Sequence, residues 1–65
     1  MKVALYADSV LGVYVAPAGA FEDVTVLSAS DFYNSLTDLQ SGIICCEDID
    51  QRTFDKIYQE YGIRV

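Results

Sequence analysis

The sequence has no histidine, no tryptophan, a single proline, two cysteines and only four basic side chains among 65 residues. Each scarcity removes a class of chemistry. Without His, neither Ser-His-Asp nor Cys-His catalysis can be assembled within one chain. Two adjacent cysteines, Cys45 and Cys46, fall short of the four Cys or His ligands of an ordinary zinc site. Being neighbours, they also cannot staple distant parts of a fold. The glycines Gly12, Gly19, Gly42 and Gly62 are isolated, so there is no Gly-rich phosphate loop. A conventional enzyme is not expected.

The basic residues Lys2, Arg52, Lys56 and Arg64 form no run, and ten Asp and Glu leave a formal charge of −6. Phosphate binding needs clustered Lys and Arg, so nucleic acid is not an expected partner. An acidic surface of this kind serves solubility, or mimics nucleic acid and binds a basic protein. No apolar stretch approaches the ~20 residues that cross a bilayer. Met1-Lys2 leads into a short apolar run broken by Asp8, with no cleavage-site pattern after it. The expectation is a cytoplasmic chain with reduced thiols, no export signal and no membrane span.

What is present is apolar. Val, Ile, Leu, Phe and Tyr recur along the whole length, and 52% of residues are hydrophobic, which argues against disorder. Residues 1–65 are read as a single domain, near the size at which one core barely suffices. Such a core rarely supplies more than about 3–5 kcal/mol, so self-association, for example as a homodimer, is a reasonable expectation.

Lys2 to Ala7 reads as a first strand ending at Asp8-Ser9. Residues 10–16 are rich in β-branched and aromatic side chains, which favours a strand, yet a short helix fits them too. Pro17-Ala18-Gly19 signals a turn, and Val24 to Leu27 a strand. Ser28 or Ser30 can cap a helix whose Phe32, Leu36 and Leu39 share one face, with Gly42 placed to end it. Ile43-Ile44-Cys45-Cys46 has the continuous apolar character of a buried strand. Asp48 or Asp50 opens a second helix with the stripe Phe54, Ile57, Tyr58 and Tyr61, closed by Gly62, and Ile63 to Val65 reads as a last strand. The β-α-β-α-β order of the second half predicts parallel pairing with helices against the sheet. The expected fold is a small three-layer α/β domain with a mixed or parallel central sheet of four or five strands.

Two groups of residues could carry chemistry. Cys45 and Cys46 stand at the C-terminal end of a predicted strand, just before a helix start, where α/β sheets place ligands and a helix N-terminus lowers a thiol pKa. They are candidate ligands for a soft metal or iron–sulfur cluster. Alternation puts their side chains on opposite faces, and the competing reading is two small buried core residues. The second group is acidic. If the first strand and the 43–46 strand are parallel neighbours, Asp8 meets Glu47 or Asp48 at one edge, where carboxylates could hold Mg²⁺. The alternative is local: Asp8 caps a turn, and Asp48 or Asp50 caps the helix.

Several of these segments resemble the dinitrogenase iron-molybdenum cofactor-binding (NifX-like) family. The similarity lies in Leu36-Thr-Asp-Leu39, Ile43-Ile-Cys-Cys46, Glu47-Asp-Ile49, Gln51 to Ile57 and Gly62-Ile-Arg-Val65, together with Met1-Lys-Val-Ala-Leu5 and Asp8. The family's glycines after the strand Cys are replaced here by Cys46, Glu47 and Asp48, and its His-Phe-Gly-Arg-Ala segment by Val15-Ala-Pro-Ala-Gly19. This resemblance implies a ribonuclease H-like fold and the carriage of an iron–sulfur or iron-molybdenum cluster, with Cys45 and Cys46 as ligands. A second resemblance, to the F subunit of rotary V/A-type ATPases, rests on Asp8-Ser-Val-Leu-Gly12, Gly42-Ile-Ile44 and Glu47-Asp-Ile49. It implies a flavodoxin-like fold and a protein-interaction role. The expected function is thus a non-enzymatic accessory protein that binds a metal cluster, or alternatively an interaction module such as a stalk subunit or an acidic inhibitor of a larger machine. A helix over residues 10–16 would favour the doubly wound, flavodoxin-like arrangement; an antiparallel strand there would favour the ribonuclease H-like one.

Overall fold

Strands buried on both faces have continuous apolar sequences, and strands with one open face alternate. Val3-Ala-Leu-Tyr-Ala-Asp8 and Ile43-Ile-Cys-Cys46 are of the first kind, and they pair at the centre of the sheet. A computed structural model describes residues 3–39 and 42–64. Its elements are β1 (Val3–Asp8), β2 (Gly12–Pro17), β3 (Val24–Val26), α1 (Ala29–Ser35), β4 (Ile43–Cys46) and α2 (Gln51–Glu60). Lys2 and Val65, the expected outer ends of the first and last strands, lie outside the described residues.

The strand order is β2-β1-β4-β3. β2 runs antiparallel to β1 from the pair Asp8↔Gly12 to Val3↔Pro17. The 10–16 segment is therefore resolved as turn and strand, not helix. Its turn is local chemistry: Asp8 Oδ1 accepts from the backbone N–H of Val10 and Leu11, at 2.9 and 2.6 Å. Gly12 follows at φ +76°, which an L side chain adopts only under strain.

β3 and β4 are parallel, joined through α1 as the β-α-β order predicts, whereas β1 and β4 are antiparallel. The sheet is mixed, and its two antiparallel pairs remove the doubly wound, flavodoxin-like alternative. A rudimentary fifth strand adds to the outside of β2. Arg64 donates its N–H to Val13 O at 2.9 Å, and its carbonyl accepts from Val15 N at 3.0 Å.

Both helices sit on one face. Leu5, Ala7, Val13 and Cys46 point to that side and form one buried cluster with Phe32 and Leu36 of the α1 region and Ile57 of α2. On the other face, Ala4, Tyr6 and Cys45 form a second buried cluster. No helix covers it among the described residues. Instead the chain after β2 folds back, and Phe21 lies edge-on against Tyr6 and Tyr14 at 5.1 and 6.2 Å between ring centroids. The Tyr6 hydroxyl donates to Pro17 O at 3.0 Å, tying the end of β2 to this cluster. The place of the expected third layer is thus taken by an aromatic flap, because the two helices among the described residues carry their apolar stripes to the same side.

The helix starts follow the sequence closely. Ser28 Oγ accepts from Asp31 N, and Asp50 Oδ2 accepts from Thr53 N, each filling an otherwise unpaired first-turn donor. The ends differ. α1 stops at Ser35 rather than near Gly42, through short turns in which Leu36 N bonds Tyr33 O and Asp38 N bonds Ser35 O. Leu36 and Leu39 still pack inward from those turns. α2 ends as expected: Gly62, at φ +79°, donates to Tyr58 O and Ile57 O. Its stripe is narrower than predicted, since Tyr58 and Tyr61 are exposed while Ile57 is buried.

Candidate functional site

Cys45 and Cys46 occupy β4, an inner strand with β1 on one side and β3 on the other. Alternation sends them to opposite faces, as expected. Cys46 faces the helices, Cys45 the flap, and both are 0% exposed. Burial pushes both thiols up from their ordinary pKa. For Cys45 the neighbouring Tyr6 hydroxyl opposes this, and for Cys46 the backbone N–H of Asp48 does. Glu47 adds to the rise at both, and Asp48 and Asp50 add to it at Cys46. The expected lowering by the start of α2 is therefore not what the surroundings give: desolvation is the largest influence at both sulfurs and raises both, which are free thiols in the core.

The carboxylates separate in the same way. Because β1 and β4 are antiparallel, Leu5 stands opposite Cys46 and Ala7 opposite Ile44. Asp8 then lies at one end of the strand pair and Glu47 at the other, about 13 Å apart along the strands at about 3.3 Å per residue. Glu47 and Asp48 are exposed in the loop before α2. Among the described residues, no three Cys, Asp or Glu side chains converge on a position that could hold a metal ion. The predicted grouping of Asp8 with Glu47 and Asp48 thus fails on strand direction.

Asp8 acts locally. Besides its two backbone donors it accepts from the Tyr14 hydroxyl through Oδ2, at 3.2 Å. The Leu11 N–H is the main cause that holds its carboxyl below the usual range, with Val10 and Tyr14 adding to it against the opposing effect of burial. Burial and the same carboxylate push Tyr14 up. A depressed folded pKa stabilises the fold above the unfolded value of about 3.9 and is lost as pH falls through the folded value. Asp8→Asn keeps the Oδ1 acceptor but removes the titration. The expected result is a flatter loss of stability below about pH 4 than in the parent, read from urea melts at stepped pH; an unchanged acid limb would show that Asp8 does not contribute.

Two surface features escaped the sequence reading. One is a cleft of about 320 Å³ beneath the C-terminal end of α1, lined by Asp23, Thr25, Ser35, Asp38, Leu39, Gly42, Ile43 and Ile44. The other is the outer side of β3, which no described strand covers. The cleft combines residues from three stretches of the chain, 23–25, 35–39 and 42–44, so no local motif announces it. The open edge had one available signal, the brevity of the Val24-Thr25-Val26 run between Asp23 and the Ser28 cap.

No family model matches the chain, and no curated protein or solved structure matches it either. No described helix is long and apolar enough to cross a membrane.

Proposed function

We propose that this chain is a small non-enzymatic protein-interaction module, working in the cytoplasm, whose acidic surface docks on a basic partner. The observation that carries the reading is the open β3 edge lying beside a cleft with two carboxylates. An uncovered strand edge is a template for pairing with another chain. The acidic balance of the whole sequence selects partners of opposite charge and speeds their encounter.

The burial of both thiols supports this reading over cluster carriage. A cluster ligand must be a thiolate within reach of the metal. Cys45 and Cys46 are fully enclosed and separated by the sheet itself, and burial pushes both thiols up. The rotary ATPase stalk resemblance implies a doubly wound fold that the antiparallel β1–β2 and β1–β4 pairs do not match, and the NifX-like resemblance would require the layers around β4 to open, so neither resemblance carries the reading.

Metal and sulfide analysis of protein purified without oxygen tests the choice. The expected product is folded, metal-free protein, the same for the parent and a Cys45→Ser/Cys46→Ser variant. Stoichiometric iron and sulfide in the parent, lost in that variant, would overturn the interaction-module reading.

A further inference from the structure

We propose that the outer edge of β3 accepts an extended, basic segment of a partner protein as an added strand, with alternate side chains of that segment reaching the cleft under α1. This rests on the interaction-module reading and names the surface and the chemistry of its occupant.

The hydrogen-bonding pattern defines the edge. Leu27 donates its N–H to Cys45 O at 2.8 Å, and Val24, Thr25 and Val26 pair with Ile43, Ile44 and Cys45. In a parallel ladder alternate residues turn both backbone groups toward the neighbour, so Thr25 and Leu27 serve β4. Val24 and Val26 turn theirs outward. They present two donors and two acceptors, the set an added strand uses.

The faces on either side of the edge specify the occupant's side chains. Val24 belongs to the flap-side cluster, and Val26, on the same side, is 56% exposed. Thr25 points the other way and lines the cleft with Ser35, Asp23 and Asp38. An incoming strand therefore places apolar residues beside Val24 and Val26, and alternate residues beside two carboxylates.

Charge excludes a second copy as the preferred occupant. Each copy carries −6, and Glu22-Asp23 leads directly into the edge. The described basic residues lie elsewhere. Arg64 is bonded at the far side of β2, Lys56 sits over the Tyr33 ring, and Arg52 is in the first turn of α2. Alternating apolar and Lys or Arg residues are what this edge complements.

The test uses the full chain, labelled with ¹⁵N, and a short blocked peptide alternating Val and Lys, with a Val–Glu peptide as control. The Val–Lys peptide is expected to slow exchange and shift resonances mainly at the Val24 and Val26 amides. Val26→Pro removes one outward donor and none of the bonds to β4, and should weaken binding about tenfold. Asp23→Asn/Asp38→Asn, which leaves the backbone edge intact, should weaken it by a similar factor and reduce its salt dependence. Unchanged affinity in both variants, shifts mapped to another face, or sedimentation showing copies paired through β3 would each overturn the assignment. Those outcomes in metal-free protein would leave the interaction-module reading standing; stoichiometric cluster on the cysteines would remove that reading whatever the peptide does.

Discussion

Phe32→Ala is expected to abolish cooperative folding at 25 °C. Phe32 is 0% exposed and is the only fully buried residue of α1, a helix of seven residues. A helix this short does not persist alone in water; packing of its apolar face holds it. Phe32 lies in the buried cluster that also holds Leu5, Ala7, Val13, Cys46 and Ile57, and α1 packs against β4 and α2. Removing a buried Phe side chain to Ala costs about 3–5 kcal/mol, through lost transfer energy and the cavity left behind. A domain of this size has about that much stability in total. Circular dichroism and urea titration should show a non-cooperative, largely unfolded variant. Phe32→Leu keeps most of the volume and should retain a sigmoidal transition at a lower midpoint. A Phe32→Ala protein melting within about 1 kcal/mol of the parent would mean that α1 is docked by something other than this ring.

Where the sequence carried local information, the fold was legible in it. The helix starts were readable to within two residues, as Ser28 or Ser30 and Asp48 or Asp50, because a single side-chain oxygen supplies the missing acceptor; Ser28 and Asp50 fill the role. Cys45 and Cys46 were readable as facing opposite ways because strand alternation needs no tertiary input. The α/β class followed from apolar runs alternating with helical periodicity, whereas the choice between a mixed and a parallel sheet stayed open. What was not legible depended on distant partners. Residues 10–16 are apolar at nearly every position, so neither period stands out, and pairing with β1 decides their form. The direction of β4 relative to β1 depends on how the chain crosses the sheet between Pro17 and Val24. No residue near Asp8 or Glu47 records that path, so the proposed carboxylate grouping depended on a direction the sequence does not state. Leu36 and Leu39 extended the apparent period of α1 past its end because turns as well as helices can aim side chains inward. The cleft and open edge were hidden for the same reason, being products of topology.

The two thiols should report which layer opens. In native protein both are expected to react with iodoacetamide about two to four orders of magnitude more slowly than in urea, since reaction requires opening and stability of roughly 3–5 kcal/mol sets the limit of that equilibrium. They should not be equal. Cys46 lies under both helices, against Phe32 and Ile57, and exposing it disrupts the larger core cluster. Cys45 lies under a thinner cover, with Tyr6, Ala18 and Val24 around it and Phe21 resting on Tyr6. Movement of the segment from Pro17 to Asp23 can uncover it while the helix layer stays in place. Mass spectrometry after timed labelling should find Cys45 modified first, and Phe21→Ala should speed Cys45 several-fold while leaving Cys46 near its parental rate. Both rates should climb with pH beyond the range of an ordinary thiol, because burial raises each pKa. Equal rates at the two positions would mean that only global unfolding exposes them. Fast labelling of Cys46 in the native state would mean that the helices lift from β4 readily. In that case a thiolate becomes accessible beside Asp48 and Asp50, and the cluster-carrier reading recovers the opening it needs.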